Sequence, residues 1–241
     1  MRLRTEVLDI SVPLLYNIKA ETFKILFHNV RSLRLHFDDV QCDYNVQAAE
    51  MSIFVQTALC HSDPEENYQL NGFRFFRNDI LPENNTRTCY GTAVYMKNKV
   101  CCVCPPMRAN VNDVEMTVTV VSGPVSDLHV VGIYRSKSKV NLKRFIDAID
   151  HLLNDVIADQ NTPTVILGDF NVNLLEMHSD SKALTKCLVE KRGYTQLITK
   201  CTTDYCSLLD HIYTNIPDRI QSSGVLESYF SDHKPVFVCF Y

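Results

Sequence analysis

The chain has 241 residues, 46% of them hydrophobic and 22% charged, with a formal net charge of −4 at pH 7. This is the balance of an ordinary globular protein, and the length allows one large core in a single β-rich unit. The negative charge argues against tight, non-specific DNA binding, which usually needs a basic surface. No apolar run approaches the roughly 20 residues of a membrane span, and the N-terminal residues lack the apolar stretch of a secretory signal. We therefore expect an intracellular protein with no membrane association.

The order of apolar runs predicts a chain dominated by β-strands, with a few helices between them. Residues 1–21 have weak periodicity and are predicted to be a lead-in segment, whereas residues 22–241 are predicted to form one domain. Short apolar or alternating runs predict strands, and apolar residues at i, i+3, i+4 and i+7 spacing predict helices. In chain order, the predicted elements are a strand at 23–28, helices at 31–40 and 45–51, strands at 51–55, 91–96, 100–103, 114–121 and 128–134, a helix at 141–157, a strand at 164–167, a helix at 181–191, and strands at 211–214, 225–229 and 236–240.

Many strands with few covering helices predict an α/β fold of two packed sheets with helices on the outside. The strands at 91–96 and 100–103 are close in the chain and are expected to pair as a hairpin around residues 97–99. The ten cysteines lack the repeated pairs of a zinc site. They are predicted to be reduced and mostly buried thiols.

Polar side chains follow or flank the predicted strands and are expected to meet at one rim of the two sheets, where sites are commonly built. The residues at these positions are His28, Asn29, Gln56, Tyr134, Asp169, Asp210, Asp232 and His233. Three strings are the most specific: Gly168-Asp169-Phe170-Asn171, Leu209-Asp210-His211 and Ser231-Asp232-His233-Lys234-Pro235. Carboxylates at strand ends beside His and Asn are typical of a metal and water site for phosphate ester hydrolysis.

Hydrolysis of a phosphate ester needs a base for the water, a cation for the phosphate oxygens and assistance to the leaving oxygen. Asp169 is predicted to align the attacking water, and Asn171 to hold a phosphate oxygen. His233 is predicted to contact the phosphate as a charged donor, with its ring held by Asp210. Tyr134 is predicted to donate its phenol to the phosphate or the leaving group. Each residue alone has a common structural alternative, such as a turn-forming Asp, so the prediction depends on the joint pattern.

A divalent cation suits the charge on the phosphate oxygens, because Mg²⁺ is typically held by one or two carboxylates plus waters. Asp232 is a candidate metal ligand or a carboxylate next to one, and Asn29 is a candidate to bind the metal or to orient Asp169. Arg31 and Arg135 are candidate contacts to phosphate or DNA. Arg135 opens a basic stretch after the strand at 128–134, for which a solvated loop and helix start is an equal alternative.

Five strings along the chain can be compared with known families. They are Phe27-His28-Asn29-Val30-Arg31-Ser32-Leu33, Gly132-Ile133-Tyr134-Arg135, Ile166-Leu167-Gly168-Asp169-Phe170-Asn171, Leu209-Asp210-His211-Ile212-Tyr213-Thr214-Asn215 and Ser231-Asp232-His233-Lys234-Pro235. Together they resemble the endonuclease/exonuclease/phosphatase superfamily, whose members include apurinic endonucleases, DNase I and inositol phosphatases. Within it, the chain is most similar to the endonuclease domains of LINE-type retrotransposons and animal Helitron elements.

The resemblance implies a four-layer α/β sandwich, in which helices flank two packed sheets that are mostly antiparallel or mixed. It implies that the domain nicks DNA with Mg²⁺, for which Mn²⁺ can substitute, and that it acts as a monomer in the nucleus. A helicase or reverse transcriptase module of a parent polyprotein is the implied partner. Residues 1–21 would then be a remnant of an upstream linker.

One position departs from the family, which has a metal-binding Glu at the end of the second strand. This chain reads Val55-Gln56-Thr57-Ala58-Leu59 there, so Gln56 aligns with that metal ligand, or Thr57 in an alternative register, and the carboxylate is missing either way. An amide keeps one oxygen but removes a full charge, and losing several kcal/mol of transition-state stabilisation would slow hydrolysis roughly a thousandfold or more. Two alternatives therefore stay open: an inactive relic that binds nucleic acid or protein, and a phosphoesterase acting on a small substrate such as an inositol phosphate.

Overall fold

The computed structural model describes residues 22–80, 88–123, 126–157, 159 and 161–241, so the predicted lead-in segment 1–21 lies outside the described residues. Twelve β-strands follow one another in the described ranges. They are β1 (Phe23–Asn29), β2 (Met51–Val55), β3 (Phe73–Asn78), β4 (Thr92–Lys97), β5 (Cys102–Val111), β6 (Val114–Ser122), β7 (Asp127–Tyr134), β8 (Thr164–Asp169), β9 (Thr195–Gln196), β10 (Asp210–Thr214), β11 (Ile220–Val225) and β12 (Val236–Phe240).

Helices connect several of these strands. The α-helices of the described residues are α1 (Leu33–Cys42), α2 (Tyr44–Ala48), α3 (Leu142–His151) and α4 (Ser179–Thr185), and α3 and α4 continue into π-helical turns at Leu152–Val156 and Lys186–Glu190. Short 3₁₀ turns lie at Glu65–Tyr68 and Pro217–Arg219. The Ser32 hydroxyl caps α1 by accepting a hydrogen bond from the backbone N–H of Leu35 at 3.2 Å, a position that favours Ser. None of the helices in this part of the chain has the length and apolar character that a membrane crossing requires.

The strands form two six-stranded sheets. The first has the order β11-β12-β1-β2-β4-β3, and the second has the order β5-β6-β7-β8-β10-β9. The pairs β1–β2 and β7–β8 are parallel, and the other pairs are antiparallel. Helices flank the two sheets, so the predicted α/β sandwich is confirmed. β12 lies between β11 and β1, so a strand from the C-terminal part of the chain completes the middle of the first sheet.

The hydrophobic core has three layers because side chains alternate along each strand. On β1, Phe27 packs into the layer between the sheets, whereas Leu26 packs outward into the layer that includes Leu33 of α1. On β8, Leu167 faces the other sheet and Ile166 faces the layer that includes Phe145 of α3. All of these side chains are fully buried, and each stabilises the fold by about 1.5–3 kcal/mol. The alternation also turns the last residue of β1 and the last residue of β8 towards the space between the sheets.

The two sheets pack closely at a glycine of β7. A Cβ atom on Gly132 would lie 2.7 Å from Cγ2 of Ile53 on β2, closer than any ordinary contact. Because β7 and β2 belong to different sheets, the missing side chain sets the distance between the sheets at this point.

Several predicted elements are wrong in detail. The predicted hairpin does not form, because β4 pairs with β2 and β3 while β5 pairs with β6 in the other sheet. The strand predicted at 225–229 lies instead at Ile220–Val225, and β3 and β9 were not predicted. The ten cysteines are free thiols, as predicted, but only Cys187 and Cys239 are buried.

Candidate functional site

The chain brings the ends of five strands to one edge of the sandwich. Because β7 and β8 are parallel, Tyr134 and Asp169 end their strands side by side, in direct register. β10 runs antiparallel to β8, so its first residue, Asp210, is opposite Asp169. In the first sheet, Asn29 ends β1, and His233 precedes the antiparallel β12. We call these five residues the edge site.

Asp169 lies at the centre of the edge site and is held at both oxygens. Asn29 Nδ2 donates a hydrogen bond to Asp169 Oδ2 at 2.9 Å, and the backbone N–H of Asn171 donates to Oδ1 at 3.0 Å. Asp169 is 1% exposed, and burial raises the pKa of its carboxyl to about 7, with a further contribution from the charge of Asp210. The carboxyl is therefore fixed in orientation and holds a proton more readily than a solvated Asp.

His233 faces Asp169 across the site. Its Nδ1 is 2.8 Å from Asp210 Oδ2, and its Nε2 is 3.9 Å from Asp169 Oδ2. Burial opposes a charge on this ring, but the charge and hydrogen bond of Asp210 outweigh it and raise the pKa of His233 to about 9. At neutral pH the ring is therefore an imidazolium, with Nε2–H directed into the edge site.

Side chains that carried no predicted role hold this arrangement together. Ser231 Oγ donates to the backbone oxygen of Asn29 at 2.7 Å and accepts from the N–H of His233 at 3.2 Å, which links β1 to the loop before β12. Thr202 Oγ1 accepts from the N–H of Asp210 at 3.0 Å. Ser231 belongs to the string Ser231-Asp232-His233-Lys234-Pro235. The role of Thr202 has no signal in the neighbouring sequence, because its contact with Asp210 spans eight residues of irregular chain.

A second group, Arg31, Gln56 and Asp232, lies beside the edge site, and we call it the arginine cluster. Arg31 Nε and Nη2 donate to the two oxygens of Asp232 at 2.7 and 2.8 Å, and Nη1 donates to Gln56 Oε1 at 3.2 Å. Asn29 Nδ2 also donates to Gln56 Oε1, at 2.7 Å, and so joins the two groups. The hydrogen bond from Arg31 lowers the pKa of Asp232 and raises that of Arg31, so both groups stay charged.

Tyr134 is 6% exposed and faces the layer between the sheets. Burial, and then the charge of Asp169, raise the pKa of its phenol far above neutrality. The phenol therefore remains a hydrogen-bond donor at the edge site. Its ring is 6.2 Å from that of Tyr90, which in turn lies under the Lys139 ammonium at 3.8 Å.

Arg135 does not have the predicted role of a DNA contact. It is 2% exposed, and its guanidinium donates to the backbone oxygens of Val140 at 3.0 Å and Phe170 at 3.3 Å. A guanidinium this buried, with Nε and Nη1 donating to backbone carbonyls, is not placed as a surface contact for a nucleic acid. Arg135 instead ties the loop after β7 to the turn after Asp169, and its own backbone oxygen accepts from Asn171 Nδ2 at 2.9 Å.

The predicted residues therefore separate into three groups. Asp169, Asp210 and His233 bring one potential ligand atom each to within 4.8 Å of one another, but the protonated ring of His233 has no free nitrogen to offer a metal. The candidate metal residues Gln56 and Asp232 lie around a guanidinium instead, and the side-chain oxygen of Asn29 accepts from the backbone N–H of Arg31 at 3.1 Å. Asn171 holds Asp169 and the loop, and Arg135 is structural.

The chain is similar to a known protein family in sequence and to solved structures in fold. The profile of the Endonuclease/Exonuclease/phosphatase family matches residues 56–233. No curated protein matches the chain in sequence. The endonuclease domain of TRAS1, a telomere-specific non-LTR retrotransposon, is similar in structure, with a TM-score of 0.68 and 15% identity over 91% of this chain and 98% of that one.

Two further solved structures have comparable similarity. The AP endonuclease LMAP of Leishmania major has a TM-score of 0.68 and 15% identity, over 91% of this chain and 87% of that one. A mannosyl-6-phosphatase of Bacteroides thetaiotaomicron has a TM-score of 0.65 and 13% identity, over 91% of this chain and all of that one. At such identities the similarity is one of fold, and proteins with different substrates share it.

Proposed function

Because the chain belongs to the endonuclease/exonuclease/phosphatase family, we propose that it hydrolyses phosphodiester bonds of DNA at the edge site. The observation that carries the proposal is the position of the His233 ring. Its Nδ1 is 2.8 Å from Asp210, and its Nε2 is 3.9 Å from Asp169. A phosphate oxygen and an attacking water can therefore meet an imidazolium and a carboxylate in one place.

In this proposal Asp169 aligns the water and accepts its proton. Asn29 and the backbone of Asn171 hold its two oxygens at 2.9 and 3.0 Å, so the carboxylate is oriented before substrate arrives. A pKa near 7, caused first by burial, suits a base that works at neutral pH.

His233 and Tyr134 act on the phosphate. The imidazolium donates from Nε2 to a phosphate oxygen, and Asp210 keeps the ring charged and in place from the Nδ1 side. The Tyr134 phenol, which stays protonated, donates to the phosphate or to the leaving oxygen. These groups supply positive charge and protons where the transition state gains negative charge.

Members of this family generally use a divalent metal, so the predicted Mg²⁺ site has to be compared with the residues present. Asn29, Gln56 and Asp232 do not fit Mg²⁺, because Arg31 binds both Asp232 oxygens and the Gln56 oxygen. A divalent ion about 4 Å from a guanidinium would be repelled by roughly 8 kcal/mol at an effective dielectric constant of about 20. No step of the proposed hydrolysis is therefore assigned to a metal in this place.

Hydrolysis by this chain is expected to be slow. A metal ion contributes several kcal/mol of charge stabilisation in phosphoryl chemistry, and each 1.4 kcal/mol is about tenfold in rate. Without that contribution from the arginine cluster, the rate is expected to be about a thousandfold or more below that of a metal-loaded site.

The proposed biological setting is a mobile element. The similarity to the TRAS1 endonuclease domain supports this setting, together with the Asn29-Val30-Arg31-Ser32-Leu33 string. DNA in the nucleus is then the substrate, and a reverse transcriptase or helicase module of a parent polyprotein is the partner. The chain is proposed to act as a monomer.

A plasmid nicking assay tests the hydrolysis. Purified protein is incubated with supercoiled plasmid in EDTA, in Mg²⁺ and in Mn²⁺, alongside Asp169→Asn, His233→Gln and Asp210→Asn. Wild type is expected to produce nicked circles slowly, and each variant is expected to lose at least about a hundredfold in rate. Arg219→Gln is the matched control, because Arg219 precedes β11 at the opposite end of the sandwich. Nicking by Asp169→Asn at the wild-type rate would contradict the proposed role of Asp169 in hydrolysis.

A second function is favoured by one observation, the guanidinium held between Gln56 and Asp232 at 3.2 and 2.7 Å. It is binding of DNA through the same pocket without turnover. Labelled duplex DNA that binds to wild type and survives intact in all three buffers would support this function. Hydrolysis of a small phosphate ester with no action on DNA would support the phosphoesterase alternative instead.

A further inference from the structure

We propose that the Arg31 guanidinium stands in the place predicted for a divalent cation and is itself the ligand of the DNA phosphate. This inference rests on the proposed phosphodiester pocket, although it does not require turnover. It makes phosphate binding at the edge site independent of divalent ions. It also gives Asp232 the role of a counter-ion that the phosphate displaces.

The contacts of the guanidinium define its place. It lies within 3.2 Å of the Gln56 oxygen and within 2.8 Å of an Asp232 oxygen, and these are two of the three residues predicted as metal ligands. The third, Asn29, points its amide nitrogen to Gln56 at 2.7 Å and to Asp169 at 2.9 Å. Every side-chain oxygen predicted to face a metal therefore faces an N–H group.

The charges of the cluster agree with this reading. Asp232 carries one negative charge and Gln56 and Asn29 carry none, so the predicted ligand set has a charge of −1, which the positive charge of Arg31 cancels. Mg²⁺ is held by one or two carboxylates that are free to bind it. A ligand set whose single carboxylate already has a bidentate arginine partner is complete without a metal ion.

The backbone directs the arginine into this place. Arg31 has φ 58° and Gln56 has φ 54°, in the left-handed region that few residues other than glycine adopt. The Arg31 N–H donates to Asn29 Oδ1 at 3.1 Å, which closes a tight turn directly after β1. Arg31, two residues after β1, and Gln56, one residue after β2, therefore both have an uncommon conformation, and their side chains meet.

The guanidinium is accessible to a ligand. The Arg31 side chain is 47% exposed and that of Asp232 is 33% exposed, whereas His233 and Asp169 beside them are buried. Solvent screens an ion pair this exposed, so a phosphate can replace the Asp232 carboxylate as the partner of Arg31. The planar fork of arginine suits both groups, since carboxylate and phosphate accept it in the same bidentate geometry.

Binding without metal is the first test. Fluorescence anisotropy with a labelled duplex oligonucleotide is measured in EDTA for wild type and variants. Arg31→Gln is expected to bind roughly 10- to 100-fold more weakly, since hydrogen bonds to charged groups are lost. Asp232→Asn is expected to bind several-fold more tightly, because the competing carboxylate is removed. Arg31→Lys keeps the charge but not the fork and is expected to lie between wild type and Arg31→Gln.

A charge-removing variant far from the site serves as the control for this test. Arg219→Gln removes one positive charge at the opposite end of the sandwich and is expected to bind like wild type. Melting curves establish that each variant folds. Equal affinity of wild type and Arg31→Gln in EDTA would overturn the inference, as would wild-type binding that appears only when Mg²⁺ is added.

A gain of metal binding is the second test, and it does not depend on DNA. The double variant Arg31→Gln with Gln56→Glu frees Asp232 and adds a carboxylate, so it is expected to bind Mn²⁺ in calorimetry at least about tenfold more tightly than wild type. A double variant with no gain in Mn²⁺ affinity would show that the arginine does not stand at a metal position. If plasmid nicking fails while both tests succeed, the proposed turnover is wrong and this inference stands.

Discussion

Backbone conformation is unusual at three residues around the proposed pocket. Arg31, Gln56 and Asn171 have φ values of 58°, 54° and 51°. Such a conformation costs a non-glycine residue about 1–3 kcal/mol and persists only where the surroundings enforce it. Here the enforcing contacts include the Asp169 carboxylate, which accepts from the Asn171 N–H at 3.0 Å. For Arg31 and Gln56 this conformation brings the two side chains together, and for Asn171 it directs the backbone N–H to Asp169.

The sequence predicts some of the site residues and misses the contacts of others. Asp169, Asp210 and His233 stand at strand ends in recognisable strings, so the sequence predicts them and their meeting place. The contacts of Arg31 could not be predicted in this way, because they depend on a left-handed turn that no local pattern of residues announces. Burial of Arg135 was missed for a related reason, since its partners are backbone oxygens.

Burial of the Glu115 side chain predicts that the free energy of unfolding depends on pH. Glu115 on β6 accepts from the Gly91 N–H at 3.0 Å, and burial raises its pKa from 4.5 to about 7. As pH rises from 4.5 to 7, the unfolded chain releases this proton first, so the folded state loses up to about 3 kcal/mol. Above pH 7 that loss is constant.

Glu115→Gln removes the titrating group and keeps an oxygen for the Gly91 N–H. Urea unfolding is expected to show the variant gaining stability over wild type between pH 5 and pH 8, by on the order of 2–3 kcal/mol. A difference in free energy of unfolding that is the same at both pH values would contradict the raised pKa.

Strands show how far a local pattern determines an element. β2 and β12 have the predicted bounds, because each is a short run of mostly apolar residues. β3 was missed because its run is interrupted by Arg74 and Arg77, which reach the backbone oxygens of Val100 and Cys60 at 2.6 Å each. The pairing of β4 and β5 was mistaken for a related reason: short separation favours a hairpin, but the partners of a strand are decided by the whole sheet.

Spacing between the two sheets is predicted to depend on one residue of β7. Gly132→Ala places a methyl group 2.7 Å from Ile53 Cγ2 and is expected to destabilise the fold by about 1–3 kcal/mol. Ile53→Ala removes the opposing atoms, so the double variant is expected to cost less than the sum of the two single changes. Denaturant unfolding of the four proteins measures this coupling. Strict additivity would show that the sheets move apart freely.

The edge site is a property of the whole molecule because both sheets contribute to it. Asn29 and His233 come with the first sheet, and Tyr134, Asp169 and Asp210 come with the second. The hydrogen bond from Asn29 to Asp169, at 2.9 Å, crosses from one sheet to the other. The distances within the edge site therefore depend on how the two sheets pack against each other.

Charge at the scale of the molecule predicts a shallow salt dependence of DNA binding. The net charge is −4, and exposed basic residues in the segments that follow β1 and β7 include Arg31, Lys137, Lys139 and Lys143. About four phosphate contacts give a slope of roughly −3 to −4 for log affinity against log salt. Anisotropy between 50 and 200 mM salt measures it. A slope near −8 would mean that a second basic surface binds the DNA.

The position of β12 has a consequence for biosynthesis. Residues 236–240 fill the gap between β1 and β11, and they are the last of these three strands to be synthesised. Until they are translated, no strand lies between β1 and β11, and Asn29 at the end of β1 is not fixed beside His233. The edge site is therefore expected to form only after β12 has joined the first sheet.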